Sequence, residues 1–120
     1  MATVVSLDEE GPYPLAPGVR MRPLFGQAAM LNVVELDPDA LVPLHSHPHE
    51  QLGIVLSGLI TMTIDGVDYP LGPERAYAIP GGVEHGGRAG PSGCRVLDVF
   101  VPVREDYREL AARPPSAQTG

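Results

Sequence analysis

Two short blocks of metal-ligand residues, set apart by apolar segments, constrain this chain more than anything else in it. The first runs His45-Ser46-His47-Pro48-His49-Glu50-Gln51 and is followed, after the six residues 52–57, by Gly58; the second is Pro80-Gly81-Gly82-Val83-Glu84-His85. In an extended chain alternate side chains share a face, so His45 and His47 can reach one ion while Ser46 points away. Gln51 opens the next apolar run. His85 follows a Pro/Gly turn, as a second hairpin returning to the same ion would require. Three imidazoles and one amide oxygen are borderline donors that suit one divalent transition metal ion, with nickel, zinc, manganese and iron all acceptable, and do not suit calcium. A lone His-x-His recurs by chance on loops. Four ligands in two distant blocks demand a fold that brings two hairpins face to face.

The remaining sequence is punctuated for such a fold. A chain of 120 residues buries roughly two-thirds of its unfolded surface, enough for one core. Its 14 Gly and 14 Pro are spread between apolar runs instead of concentrated, the pattern of an all-β fold with many turns. Residues 1–23 are acidic and Pro-rich, and read as an N-terminal arm with one edge strand. Residues 24–112 read as the barrel. Within it strands are expected over 30–36, 42–47, 51–56, 59–65, 75–79 and 94–103, with Asp65-Gly66 as a hairpin turn. Charges at helical spacing make 104–112 a short helical turn, and 113–120 a disordered tail. Runs such as Ile54-Val55-Leu56 and Val99-Phe100-Val101 are apolar on both faces, where a half-exposed sheet would alternate. They fit a two-sheet jelly roll whose outer face is partly covered by a second copy, so a homodimer is expected.

All eight basic residues are Arg and fifteen are acidic, for a net charge of −7. That excludes nucleic acid as the natural partner. A small-molecule substrate that is anionic would need local positive charge, which a dication and one Arg supply. The single cysteine, Cys94, forbids an intrachain disulfide and reads as a small buried hydrophobe. Residues 1–10 have no basic region or long apolar stretch, and no apolar run approaches membrane-spanning length, so a cytoplasmic protein with no membrane partner is expected.

The two blocks resemble those of the cupin superfamily: His-x-His, three residues, Glu or Gln, six residues, Gly, and then Pro-x-Gly-x-x-His. The resemblance implies a double-stranded β-helix, or jelly-roll barrel, in a single domain. Three positions depart from it. Gln51 stands where the acidic ligand usually is, so a bound dication would keep its full charge. Glu74 stands where the second block opens with Gly, and Ala89 where an Asn is sometimes found.

A narrower resemblance covers roughly residues 30–108. His45 to Gln51, together with Asp98-Val99-Phe100-Val101-Pro102-Val103-Arg104-Glu105-Asp106-Tyr107, is similar to the KdgF-type small cupins of pectin and alginate breakdown, which linearise 4,5-unsaturated monouronates. It implies metal binding by His45, His47, Gln51 and His85, and site roles for Asp98, Phe100 and Arg104. Strand parity supports Asp98: it shares a face with Phe100, opposite Leu97, Val99 and Val101. A carboxylate facing a barrel interior is costly unless paired or used. Asp98 is therefore expected as general base and acid, Arg104 as the partner of a substrate carboxylate, and Phe100 and Tyr77 as pocket walls. An Asp98 paired with Arg95 or Arg104 is the bland alternative. His49, behind Pro48, reads as a rim or spare loop histidine, and Glu50 and Glu84 as solvent-facing. Two other classes fit the same residues: a metal-dependent oxygenase or natural-product cyclase, and a non-catalytic small-ligand-binding cupin.

Overall fold

Apolar runs and Gly/Pro turns resolve into eight strands and one terminal helix in the computed structural model, which describes residues 1–113. In chain order they are β1 Tyr13–Ala16, β2 Val19–Phe25, β3 Met30–Leu36, β4 Leu41–His45, β5 Glu50–Ile64, β6 Val67–Leu71, β7 Ala76–Ile79, β8 His85–Val101 and α1 Glu105–Ala112, preceded by a 3-10 turn at Leu7–Glu9. The disordered tail expected over 113–120 lies, past Arg113, outside the described residues. All strand pairs are antiparallel, in the path β1-β2-β3-β8-β5-β6 with β4 added to β8 and β7 to β5.

The long pair β5 and β8 forms the spine, in register from Glu50↔Val101 to Ile64↔His85. Each strand changes neighbour half-way. β8 lies beside β4 near His85 and beside β3 from Cys94 to Phe100; β5 lies beside β7 from Gln51 to Ile54 and beside β6 from Ile60 to Ile64. The change falls at bulges between Val55 and Ser57 and between Gly58 and Ile60, which bend the strands without ending their ladder. Gly58 sits at the bend with φ 77° facing Gly93 at φ 74°, and a Cβ on Gly58 would lie 2.1 Å from the Gly93 carbonyl oxygen. Only glycine allows that approach. The two runs expected over 51–56 and 59–65 are therefore one bent strand. β8 likewise begins at His85 and not at Cys94, because Gly86 and Gly87, poor strand formers alone, are held in the ladder between β4 and β5.

The N-terminal arm is also shorter than expected. β2 pairs with β3 along its whole length, from Val19↔Leu36 to Phe25↔Met30, and Val19 and Met21 are 3% and 0% exposed. Pro23 obscured this strand in the sequence. It is tolerated because β1 pairs only as far as Met21, so no partner on that edge needs its missing N–H. The main core joins Val19, Val34, Val55, Ile60, Ile79 and Val96 from five strands, and Cys94 lies within it as a small hydrophobe whose thiol burial pushes up to about 11. On the outer face the register aligns Leu31, Val99 and Leu52, an apolar row that Leu31 and Leu52 leave exposed and that an expected homodimer would cover. Among the described residues no helix is long and apolar enough to cross a membrane.

Two positions generate stability predictions. Glu74 adopts φ 71°, so the left-handed turn survives where the resembling motif has Gly, at the steric cost of a Cβ. Replacing Glu74 with Gly should raise unfolding free energy by about 0.5–1 kcal/mol, read from urea denaturation. Glu35 accepts from Arg22 (3.1 Å), Arg20 (3.3 Å) and Arg95 (3.2 Å). Burial pushes its carboxyl up, yet the three guanidinia outweigh burial and hold it below its usual 4.5. A depressed carboxylate stabilises above its unfolded pKa and loses that contribution as pH falls through the folded value. Glu35→Gln should thus cost about 1–2 kcal/mol at pH 7, with wild type and variant converging as denaturation is repeated below pH 4.5.

Candidate metal centre and its acid–base neighbours

The spine carries the site. His85 opens β8 and pairs directly with His45 at the end of β4, while Gln51, at the start of β5, pairs with Ile79 and Phe100. His47 lies beyond the end of β4, so His45 and His47 do not share one strand as parity reasoning had it. They converge nonetheless: ring centroids are 4.4 Å apart for His45 and His85, 4.8 Å for His47 and His85, and 5.6 Å for His45 and His47. One nitrogen of each lies within 4.8 Å of the others.

Each ring is oriented by a backbone carbonyl. Nδ1 donates to the Pro43 oxygen from His45 (2.9 Å), to the His49 oxygen from His47 (3.0 Å) and to the Val83 oxygen from His85 (2.9 Å). A carbonyl only accepts, so Nδ1 carries the proton and Nε2 presents a lone pair on all three. This is the arrangement that fixes tautomer and direction in metal-ligating histidines. The Nε2 of His85 is buried without a partner, a cost that a cation would remove. Burial, with Arg104 and His85 adding to it, lowers His47 to about 4, and burial lowers His85 too, so both are neutral at pH 7, the form that ligates.

Gln51 extends the set. Its Oε1 lies 3.1 Å from His47 Nε2, and its amide is near enough to Asp98 to favour the charged carboxylate. A carboxylate takes only the NH₂ end, which leaves Oε1 facing the lone pair of His47. Two acceptors this close are reconciled by a cation between them. The three histidines suit one divalent metal ion, and Gln51 offers a fourth donor.

Asp98 sits beside these ligands, 5% exposed, and takes a 2.6 Å hydrogen bond from the Tyr77 hydroxyl. Burial pushes its carboxyl up to about 6, against the opposing hydrogen bonds from Tyr77 and Gln51 and the charge of Arg104. The alternative partners differ: Arg95 pairs with Glu35, and Arg104 forks onto Asp106 through Nε (3.2 Å) and Nη2 (2.7 Å). Arg104, 8% exposed, stacks 3.8 Å over the Tyr107 ring, and its Nη1 is buried with no partner. Phe100 packs edge-on against His47 (5.5 Å) and Tyr107 (5.8 Å). His45, Gln51, His85, Tyr77, Asp98, Phe100 and Arg104 all line one cavity of about 280 Å³ together with apolar residues such as Val34, Ile60 and Val96, and His47 lies just behind that lining.

His49 stays outside that lining, 5.4 Å from His47, and Glu50 and Glu84 are exposed. Sequence reasoning passed over three residues. Asn32 is fully buried and pairs with Asp98 from β3; Tyr107 reaches the cavity from α1; Gly53 pairs with both Tyr77 and Asp98. Of these only Gly53 left a signal, an isolated glycine inside an apolar strand, which marks a close approach.

A cupin-domain family model matches residues 32–100. The chain belongs to the cupin family. Among solved structures, KdgF from a Halomonas species superposes with a TM-score of 0.83 at 26% identity, covering 89% of this chain and 99% of that one. The dimethylsulfoniopropionate lyase DddW of Ruegeria pomeroyi is 40% identical over 74 residues, 60% of this chain and 47% of its own. The HTH-type transcriptional regulator PuuR of Escherichia coli is 39% identical over 57 residues, 47% of this chain and 31% of its own. This cupin therefore spans less than half the length of the curated relatives it matches.

The ligand geometry predicts one divalent ion per chain. Titration against a chromophoric chelator should show His85→Ala losing at least ~100-fold in affinity and Gln51→Ala about tenfold. Saturating metal should raise unfolding free energy by about 2.7 kcal/mol at a hundred times Kd, and His85→Ala should abolish that gain.

Proposed function

We propose that this cupin is a metal-dependent enzyme of non-redox acid–base chemistry on a small carboxylate, and that its reaction is the linearisation of 4,5-unsaturated monouronates to the 5-keto acid. One observation carries the reading. A buried carboxylate, Asp98, and a buried guanidinium with an unused donor, Arg104 Nη1, belong to residues that line the same cavity as His45, His85 and Gln51. A neutral ligand that ignored Arg104 would leave its buried donor unsatisfied. The similarity to KdgF over nearly the whole chain supports the substrate class.

Arg104 is pre-oriented by its fork on Asp106 and its stack on Tyr107, so Nη1 can receive a substrate carboxylate without losing side-chain freedom. A divalent ion held by His45, His47, His85 and Gln51 supplies Lewis-acid stabilisation of negative charge on substrate oxygen. Asp98 removes the proton of the anomeric hydroxyl. As the carbonyl forms at carbon one, the bond from carbon one to the ring oxygen breaks and the oxygen leaves as the enolate at carbon five. Asp98 then returns the same proton to carbon four, giving the 5-keto acid. Protons and electrons balance within the substrate, so no redox cofactor is consumed. A carboxyl pushed up to about 6 gives and takes a proton near neutrality more readily than an ordinary aspartate. Phe100 holds His47 and the arginine stack in place.

A second reading rests on the identity shared with DddW. The same base and guanidinium could act on dimethylsulfoniopropionate: Arg104 holds the carboxylate, Asp98 removes the proton at carbon two, and the bond from carbon three to sulfur breaks, releasing dimethyl sulfide and acrylate.

The test follows the ultraviolet band of unsaturated uronate with metal-loaded wild type, chelated protein, Asp98→Ala and Arg104→Lys, beside a dimethyl sulfide assay. Loss of the band that falls ~100-fold or more in Asp98→Ala, with KM raised about tenfold in Arg104→Lys, is the expected result. Decay equal to the blank with fully metallated protein sinks the uronate reading, and dimethyl sulfide release would put the elimination in its place.

A further inference from the structure

One inward-facing row of the sheet crosses the site. Tyr77 on β7 pairs with Gly53 on β5, and Gly53 pairs with Asp98 on β8. The middle of this row has no side chain. A Cβ built on Gly53 would stand 2.2 Å from Tyr77 Cζ, 2.3 Å from Cε2 and 2.4 Å from the hydroxyl oxygen, far inside the contact distance of non-bonded atoms. Gly53 has no positive φ, so its backbone is open to any residue. A glycine in a strand interior is itself destabilising. What this position requires is room: the end of the phenol ring occupies the space where a side chain at 53 would stand, and its hydroxyl reaches Asp98 Oδ1 at 2.6 Å.

We infer that Gly53 and Tyr77 form a positioning unit for Asp98, in which the missing side chain at 53 lets the Tyr77 hydroxyl hold the carboxylate in the direction proton transfer needs. This changes the part expected of Tyr77 from the sequence, that of a wall touching substrate. It rests on the reading of Asp98 as proton carrier. The bond from Tyr77 takes one of the roughly four acceptor positions of Asp98 and sets the direction in which the carboxylate points. Transfer in a confined site depends on such aim, and small misplacements are costly. Burial and the neighbouring carboxylate push the Tyr77 phenol far up, so it remains a donor and is neither base nor nucleophile.

The experiment uses the full-length, metal-loaded protein and the variants Tyr77→Phe, Tyr77→Ala, Gly53→Ala and Gly53→Ala/Tyr77→Ala. Tyr77→Phe, which removes only the hydroxyl, should lower kcat about tenfold with KM within about twofold. Gly53→Ala should match that loss and lower Tm by roughly 5 °C or more. In the Tyr77→Ala background the same Gly53→Ala change should leave kcat unchanged and should hold or slightly raise Tm, because the ring it displaces is gone and only the cost of a strand glycine is removed. A Tyr77→Phe that raises KM and spares kcat would make Tyr77 a substrate contact and overturn the proposal. So would Gly53→Ala effects that simply add to those of Tyr77→Ala. If wild type turns over no uronate, the stability cycle still decides, together with the Tyr77 hydroxyl proton in NMR spectra: slow exchange that is lost in Asp98→Ala and in Gly53→Ala sustains the unit while the uronate reading fails, and a rapidly exchanging hydroxyl in wild type removes the unit whatever the activity.

Discussion

The ladder between β5 and β8 is the interaction on which the rest of this molecule depends. It runs from Glu50↔Val101 to Ile64↔His85, and both ends are chemical. At one end it presents Gln51 opposite Phe100, with Asp98 two residues away; at the other it fixes His85, which β4 then matches with His45. Because both strands bend where Gly58 meets Gly93, the two halves of the ladder fold toward each other, and residues far apart along the spine face one cavity. A strand that bends and keeps its hydrogen bonds gives a rigid site, since no ligand depends on a long loop for its position.

Around that spine the polar interior is organised by donors and acceptors that leave little choice. Three carbonyls fix three histidine tautomers, the Tyr77 hydroxyl fixes the carboxylate of Asp98, and Asp106 fixes the guanidinium of Arg104. Two of these residues keep a buried atom without a protein partner: Nε2 of His85 and Nη1 of Arg104. In a low-dielectric interior such unspent groups are costly. Both residues line one cavity, which marks that cavity as the candidate site.

Strands with clear apolar runs and marked ends were legible, as β3 over Met30–Leu36 and the β5–β6 turn at Asp65-Gly66 show. Both turn residues have positive φ, as that dipeptide demands. β2 was hidden because Pro23 interrupts the alternation that Val19, Arg20, Met21 and Arg22 begin, and pairing on β3 completes the strand. β8 was read too short because Gly86 and Gly87 have no strand propensity of their own. Their place in the ladder comes from neighbours on both sides, and tertiary context of that kind overrides local preference.

What the sequence by itself determined is chemical identity: four metal-ligand candidates at fixed spacing, a carboxylate with inward parity at 98, an arginine after the last strand, and the all-β punctuation between them. These are readable because they depend on residue type and on the two-residue period of a strand. Only the tertiary structure decided which partners those groups face. That His45 meets His85, that Tyr77 and not an arginine holds Asp98, that Arg104 keeps one nitrogen free, and that Gly53 is empty so a ring can cross it are all consequences of register between strands distant in the chain. Register is set by the packing of the whole sheet, and no local pattern of residues encodes it.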